Sequence, residues 1–228
     1  MISLKTNGHT NSNESKEHIQ VWRSHPKSVF IPYQTCEFAE FLGIYFGDGS
    51  ATENPPVVTV SLSYSEEKDY AFFVRKLLQE VFRTDVGIVE HKKADNIQVR
   101  IYRINLVRFL KEAIKRDLGM PNWIKSNSSF LCSFIRGLMD CESSVYRVEK
   151  GKKRIRIELK MRNKRLLEDV NNALLSLGYH PLIYLERNRL ALARQEEVDR
   201  YFKEIGAHNP KHTKRYLSLR ENHFPSLR

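Results

Sequence analysis

Asp48 and Glu142 each close an apolar stretch of the chain, Phe41 to Ser50 (FLGIYFGDGS) and Phe134 to Ser143 (FIRGLMDCES). With the two acids aligned, the small residues Ala39, Gly43 and Gly47 fall opposite Ser133, Gly137 and Cys141. Residues four apart share one helix face, so each stretch presents a smooth stripe on which another helix backbone can lie. Phe38, Phe41, Leu42, Ile44 and Tyr45, and in the second stretch Phe130, Leu131, Phe134, Leu138 and Met139, make the remaining surface apolar, as befits helices in an interior. If the pair runs parallel, Asp48 and Glu142 arrive at the same end. Two carboxylates placed so repel each other, and each opposes the dipole of its own helix C-terminus. A divalent cation removes both penalties, and an oxygen-rich site of this kind suits Mg²⁺ or Ca²⁺. A helix cap at Asp48-Gly49 or a solvated end residue at Glu142 accounts for either stretch alone, but not for two with the same spacing and polarity.

The elements needed to hold these acids follow from the rest of the chain. Val57 to Tyr64 alternates as a strand, Glu66 to Arg83 has helical periodicity, and Val86 to His91 with Asn96 to Arg103 reads as a hairpin. A helix from Asn105 to Leu118 stops at Gly119 and Pro121. The second half repeats the order: a hairpin of Ser144 to Lys150 and Arg154 to Met161 around Gly151, a helix from Lys164 to Leu177, a hairpin across Arg187-Asn188 and a helix from Glu196 to Ile205. The fold class is therefore α+β, a tandem duplication of two αββαββα halves with antiparallel sheets, offset by the 94 residues between Asp48 and Glu142. The expected division is a polar tail over 1–30, a first half over 31–124 and a second over 125–228. Gly43, Gly47, Gly137 and Cys141 are the expected contact points between the halves, within a monomer.

In Arg154 to Met161 (RIRIELKM), Ile155, Ile157, Leu159 and Met161 alternate with Arg154, Arg156, Glu158 and Lys160, which demands one buried and one charged sheet face. The first half does the same with Thr59, Ser61 and Ser63, and with Gln98, Arg100 and Tyr102. Such side chains contact phosphates and base edges. Lys and Arg number 38 against 27 acids, a net charge of +11, which points to a polyanionic partner. Cys36, Cys132 and Cys141 are odd in number and lack C-x-x-C spacing, so neither a disulfide framework nor a zinc site is indicated. No run of eighteen apolar residues exists and no signal-peptide core opens the chain, so a cytoplasmic protein without a membrane partner is expected.

With these residues in place, the chain resembles the LAGLIDADG homing endonucleases of the monomeric, two-motif kind. The motif reads onto Phe41-Leu42-Gly43-Ile44-Tyr45-Phe46-Gly47-Asp48-Gly49 and onto Ile135-Arg136-Gly137-Leu138-Met139-Asp140-Cys141-Glu142-Ser143. The resemblance implies saddle-shaped sheets lying in the major groove of a long, nearly palindromic DNA duplex. It also implies that Asp48 and Glu142 bind two or three Mg²⁺ ions with help from the backbone carbonyls of Gly47 and Cys141, with Ca²⁺ substituting without cleavage. Each acid would then serve hydrolysis of one strand, leaving short 3′ overhangs. Arg162 and Lys68 follow the second strand of each half, where the family places polar or basic residues, and Lys211, with Lys214 second, lies in a segment similar to the one that brings a basic residue to the scissile phosphates. Ser143 stands where the motif has Gly, so the second helix is expected to end without the left-handed cap Gly provides, at the cost of a small strain or a shifted Glu142. The first half, offering Ser63, Tyr64 and Ser65, is expected to lack a close basic partner. The alternatives are an intron maturase, with intron RNA as partner, and an inactive DNA-binding protein of the same fold. The short chain favours a free-standing intron product.

Overall fold

Thr35 opens the first motif helix by accepting the backbone N–H of Phe38 at 3.1 Å, and Asn127 opens the second by accepting those of Ser129 and Phe130 at 2.8 and 3.3 Å. These bonds satisfy donors that a helix start otherwise leaves orphaned. In this computed structural model, which describes residues 20–21, 29–115, 118–148 and 154–221, the two helices are α1 (Cys36–Asp48) and α5 (Ser128–Glu142). They pack parallel through their small residues. A Cβ added to Gly43 would collide with the backbone of Phe134 and Leu138, and one added to Gly137 would collide with that of Glu40 and Ile44. Those two contacts exchange under the 94-residue offset, so the interface is a pseudo-twofold. Nearer the acids, a Cβ on Gly47 would lie 2.6 Å from Cys141 Cβ.

Each acid is followed at once by a strand. In the first half β3 (Gly49–Glu53), β4 (Pro56–Ser63), β5 (Gly87–His91) and β6 (Asn96–Ile101) form an antiparallel sheet in the order β3-β4-β6-β5. In the second, β7 (Ser143–Arg147), β8 (Ile155–Lys160), β9 (Leu182–Tyr184) and β10 (Arg189–Leu192) form one in the order β7-β8-β10-β9. Strand β3 is an addition to the strands read from the sequence, which Gly49 and the polar run behind it conceal. The helices α2 (Tyr64–Phe82), α3 (Ile104–Ala113) and α6 (Lys164–Ser176), with α7 (Gln195–Glu204), cover one face of these sheets. Val58, Val60, Leu62, Ile97, Val99 and Ile101, and Ile155, Ile157 and Leu159 opposite, are buried against them as the period-two pattern requires.

Two further helices complete the chain. The short α4 (Asn122–Lys125) places Trp123 against Phe38, ring to ring at 5.8 Å, and against Phe130, so the link between the halves is sewn into the aromatic core. Helix α8 (Pro210–Glu221) packs on both β7 and α2, and so touches both halves. Within the stretch expected to be a tail, Gln20–Val21 pairs with Phe30–Ile31 as β1 and β2, and Val29 is buried. The rest of that tail, and the turn around Gly151, lie outside the described residues. No helix among the described residues is long and apolar enough to cross a membrane.

Candidate nuclease-type junction and nucleic-acid interface

The expected strain at Ser143 is absent. Gly49 and Ser143 both leave their helices in extended conformations, with φ of −88° and −102°, and neither uses a left-handed cap. The reason is that each helix runs straight into a strand, so β geometry and not a turn follows the acid. Ser143 adds a hydroxyl that donates to the Met139 carbonyl at 2.6 Å.

Asp48 and Glu142 converge at the common end of α1 and α5. Burial raises the Asp48 carboxyl from its ordinary 3.8 to about 6, the Cys141 thiol hydrogen-bonds to it and lowers it, and the carboxylates of Glu67 and Glu142 push it up again. Lys211 also holds it down electrostatically. Negative charge is thus concentrated where the helix dipoles disfavour it. The donor set is of the kind a hard divalent cation takes: carboxylates at the adjoining ends of two helices, near enough for Glu142 to perturb Asp48, with the carbonyls of Gly47 and Cys141 in the last turns. Among the described residues no group of three or more His, Cys, Asp or Glu side chains is arranged to hold a metal by itself, so such an ion would draw on backbone, water or phosphate oxygens as well.

Beside Asp48 the structure corrects one expectation. The first half does not lack a basic neighbour, because α8 delivers Lys211 from the far end of the chain. Its ammonium lies 2.6 Å from Glu67 Oε1. Glu67, at a non-helical kink in α2 (φ −124°, ψ 18°), is buried and also accepts the Ser63 N–H at 2.9 Å and the Asn209 amide at 2.7 Å. The sequence holds a signal for it: Glu67 sits on the same stripe as Tyr70, Ala71 and Val74, a carboxylate at a core position. Asn209 followed by Pro210 is itself a helix-start signal, with Asn as cap and Pro at the first turn, for a helix beyond those expected from the sequence periodicity.

A second polar group lies along α5. Asp140 is buried, and its Oδ2 accepts the N–H groups of His208 and Asn209 at 2.8 and 3.1 Å, while Oδ1 has no hydrogen-bond partner among the described residues. Burial pushes its carboxyl up to about 7 against the lowering effect of those two N–H groups. His212, lowered to about 4 chiefly by burial, is a neutral imidazole whose Nε2 donates to the Asp140 carbonyl at 3.1 Å. Glu40 on α1 is held below the usual carboxylate range despite its burial, because His208 and Arg136 hydrogen-bond to it, the latter at 2.6 Å. None of these polar residues repeats across the pseudo-twofold: Phe134, Phe46 and Leu42 stand at the positions of Glu40, Asp140 and Arg136.

The other expected basic residues are placed elsewhere. Lys68 lies 3.3 Å from the Tyr64 hydroxyl and 3.2 Å from Glu90 of β5, on the sheet side of α2. Arg162 and Lys214 are exposed. On the first outer sheet face Ser61, Gln98 and Arg100 are half-buried and Tyr102 is exposed, with Arg100 bonded to Gln98 and, at 3.1 Å, to Tyr102. Thr59, which pairs with Ser50 on one side and Arg100 on the other, is largely buried. Ser63 is committed to α2, its hydroxyl accepting the Glu66 N–H at 3.3 Å and donating to Asp95 at 2.9 Å. On the second face Arg154 and Lys160 are exposed and Arg156 half-buried, while Glu158 is held by Tyr146 at 2.9 Å and Arg189 at 3.3 Å.

A family model described as a LAGLIDADG-like domain matches residues 129–206. Among solved structures, mesophilic variants of the homing endonuclease I-DmoI are 20% identical, with 75% of this chain and 95% of that one covered at a TM-score of 0.52. I-DmoI in complex with DNA and Mn is 22% identical over 75% and 96% of the two chains, TM-score 0.51. The N-terminal LAGLIDADG domain of DUF199/WhiA is 16% identical over 79% and 88%, TM-score 0.53. No curated protein sequence matches the chain. Residues 129–206 thus match a LAGLIDADG-like domain, and the chain as a whole has the LAGLIDADG fold that I-DmoI and the WhiA domain share.

Proposed function

We propose that this protein is a site-specific, divalent-metal-dependent DNA endonuclease that binds a long pseudo-palindromic duplex as a monomer and cuts both strands, leaving short 3′ overhangs. The observation that carries the reading is the parallel packing of α1 and α5, which brings Asp48 and Glu142 to one end, where each acid leads directly into the first strand of an antiparallel sheet. Support comes also from the net charge of +11 and from I-DmoI, which shares the fold and is seen with DNA and Mn.

In this reading Asp48 and Glu142 bind the metal, with the carbonyls of Gly47 and Cys141 beside them. Held there, a divalent ion such as Mg²⁺ would supply Lewis-acid activation of water and charge neutralisation at the phosphate. The protein's own part is to hold the two carboxylates rigidly at glycine-tight spacing, and to place the Lys211 ammonium beside Asp48, where phosphate charge accumulates. Arg100, Arg154, Arg156 and Lys160 contact the duplex backbone and base edges.

A second reading, DNA binding without cleavage, draws on the net charge of +11 and the polar sheet faces, which need neither acid. Selection of bound duplexes from a random library, followed by a supercoiled-plasmid time course with Mg²⁺, tests both. Linear product with 3′ overhangs is expected. Tight, selective binding with no nicking in Mg²⁺ or Mn²⁺ would establish the second reading instead.

A further inference from the structure

Asn209 is fully buried, yet it is a polar side chain in the connection between α7 and α8. Burying an amide is costly unless each of its donors and acceptors is satisfied. Here the partners come from three separate elements. Nδ2 donates to Glu67 Oε1 of α2 at 2.7 Å and to the Asp140 carbonyl of α5 at 3.0 Å. Oδ1 accepts the Lys211 N–H at 3.2 Å and so caps α8. The Asn209 backbone N–H adds a bond to Asp140 Oδ2 at 3.1 Å. One residue therefore ties the second motif helix, the kink of α2 and the first turn of α8 together. Lys211 Nζ and Asn209 Nδ2 meet on the same Glu67 oxygen, which sits close enough to Asp48 to perturb it.

The arrangement is not repeated in the other half. Glu67 lies four residues after Ser63, the cap of α2; four residues after Asn163, the cap of α6, stands Leu167, a fully buried apolar residue. A hydrocarbon side chain cannot anchor an ammonium group.

We propose that Asn209 is a positioning residue that assembles the Asp48 side of the junction from both halves, holding Glu67 and Lys211 beside Asp48 in a way the second half does not reproduce. The two strands of a bound duplex then meet unequal surroundings, and Asn209 sets the difference. This inference rests on the endonuclease reading for its strand preference, though not for the clamp itself.

Asn209→Asp is the variant that tests it. An Asp side chain keeps an oxygen to cap the Lys211 N–H but cannot donate to Glu67 or to the Asp140 carbonyl. With each strand of a selected duplex labelled separately, the strand that Asp48→Asn slows most should slow on the order of 10- to 100-fold in Asn209→Asp, the range for misplacing a group at a reacting centre. The other strand should change by less than about threefold, within the scatter of context effects. A second readout needs neither metal nor DNA. After reductive ¹³C-methylation, the Lys211 signal, identified by its loss in Lys211→Arg, should stand apart from exposed lysines in the parent and join them in Asn209→Asp, with Lys214 unmoved. If Asn209→Asp does not fold, Glu67→Gln removes the anchor from the other side and should give the same strand-selective loss and the same shift. Equal slowing of both strands, or a Lys211 signal unmoved by the variant, overturns the proposal. If the parent cuts neither strand, the endonuclease reading falls and the Lys211 signal alone decides whether Asn209 is the clamp.

Discussion

The two halves share a helix-to-strand junction and a sheet order but differ in the polar side chains packed beside the junction. Around α1 and α5 the small-residue contacts are interchangeable, Gly43 against Phe134 and Leu138, Gly137 against Glu40 and Ile44. One turn away the equivalence ends: Asp48 has Glu67 and Lys211 for neighbours, whereas α5 carries the buried Asp140, tied to the α7–α8 connection, where α1 has Phe46. The lesson is that a duplicated fold keeps symmetry where two backbones touch, because only glycine-sized residues fit both sides. It loses symmetry where a single later element, here α8, has to pack against one copy of the pair.

The largest expected effect is at the shared acids. On the endonuclease reading, Asp48→Asn and Glu142→Gln should each lower double-strand cleavage by a factor on the order of 10³ or more, since each would remove a charge proposed to hold metal, while duplex binding survives. Full linearisation by both variants in the plasmid assay would defeat the assignment. A marked difference between them in the nicked intermediate would sharpen the contrast between the halves.

The glycine contacts provide the symmetric control. Gly43→Leu and Gly137→Leu should each destabilise the protein by about 3 kcal/mol or more, because both would drive a side chain into backbone atoms that cannot move aside. Chemical denaturation should report equal losses. A loss confined to one position would break the pseudo-twofold described for the interface.

A smaller effect concerns pH. The folded value of Asp48 lies above its unfolded 3.8, so its contribution to stability is fully present below pH 3.8 and is lost as pH rises through about 6. Asn does not titrate. In chelator, Asp48→Asn should therefore gain on the parent between those limits, by about 1–2 kcal/mol after allowing for the partial exposure of the site. Thermal melts at pH 4 and pH 8 check this, and a gain that is larger at pH 4 would contradict it.

The smallest effects separate the sheet faces. Removing Arg156 and Lys160 together should flatten the slope of log affinity against log salt by about 1.8, whereas Arg100→Ala should flatten it by about 0.9 at most. Arg100 is already bonded to Gln98 and Tyr102, which limits its reach to phosphate. Fluorescence anisotropy across a salt series measures both, and an Arg100→Ala change as large as the double variant's would make the two faces equal contributors.

Much of this architecture can be read from the chain because it rests on local rules. The four-residue spacing of Ala39, Gly43 and Gly47 and of Ser133, Gly137 and Cys141 dictates close helix packing, and the alternation in RIRIELKM dictates a two-faced strand. Both are properties of neighbouring residues. Strand β3 escaped because its sequence, GSATE, has no alternation of its own and is extended by pairing with β4.

By itself, then, the sequence determined the duplication, the two acids at helix ends, the sheet faces and the excess of positive charge. What stands beside Asp48, and through which partners it is held there, depends on how distant segments dock. Lys211 lies more than 160 positions from Asp48 along the chain, and no periodicity links them. Their proximity depends on where α8 docks, on the kink that turns Glu67 inward, and on a buried amide at Asn209 whose partners belong to three elements. A helix stripe or a strand pattern is enforced by backbone geometry within a few residues. A buried polar network is enforced by the requirement that every desolvated donor and acceptor find a partner, and that requirement takes effect only once the whole core has closed around it.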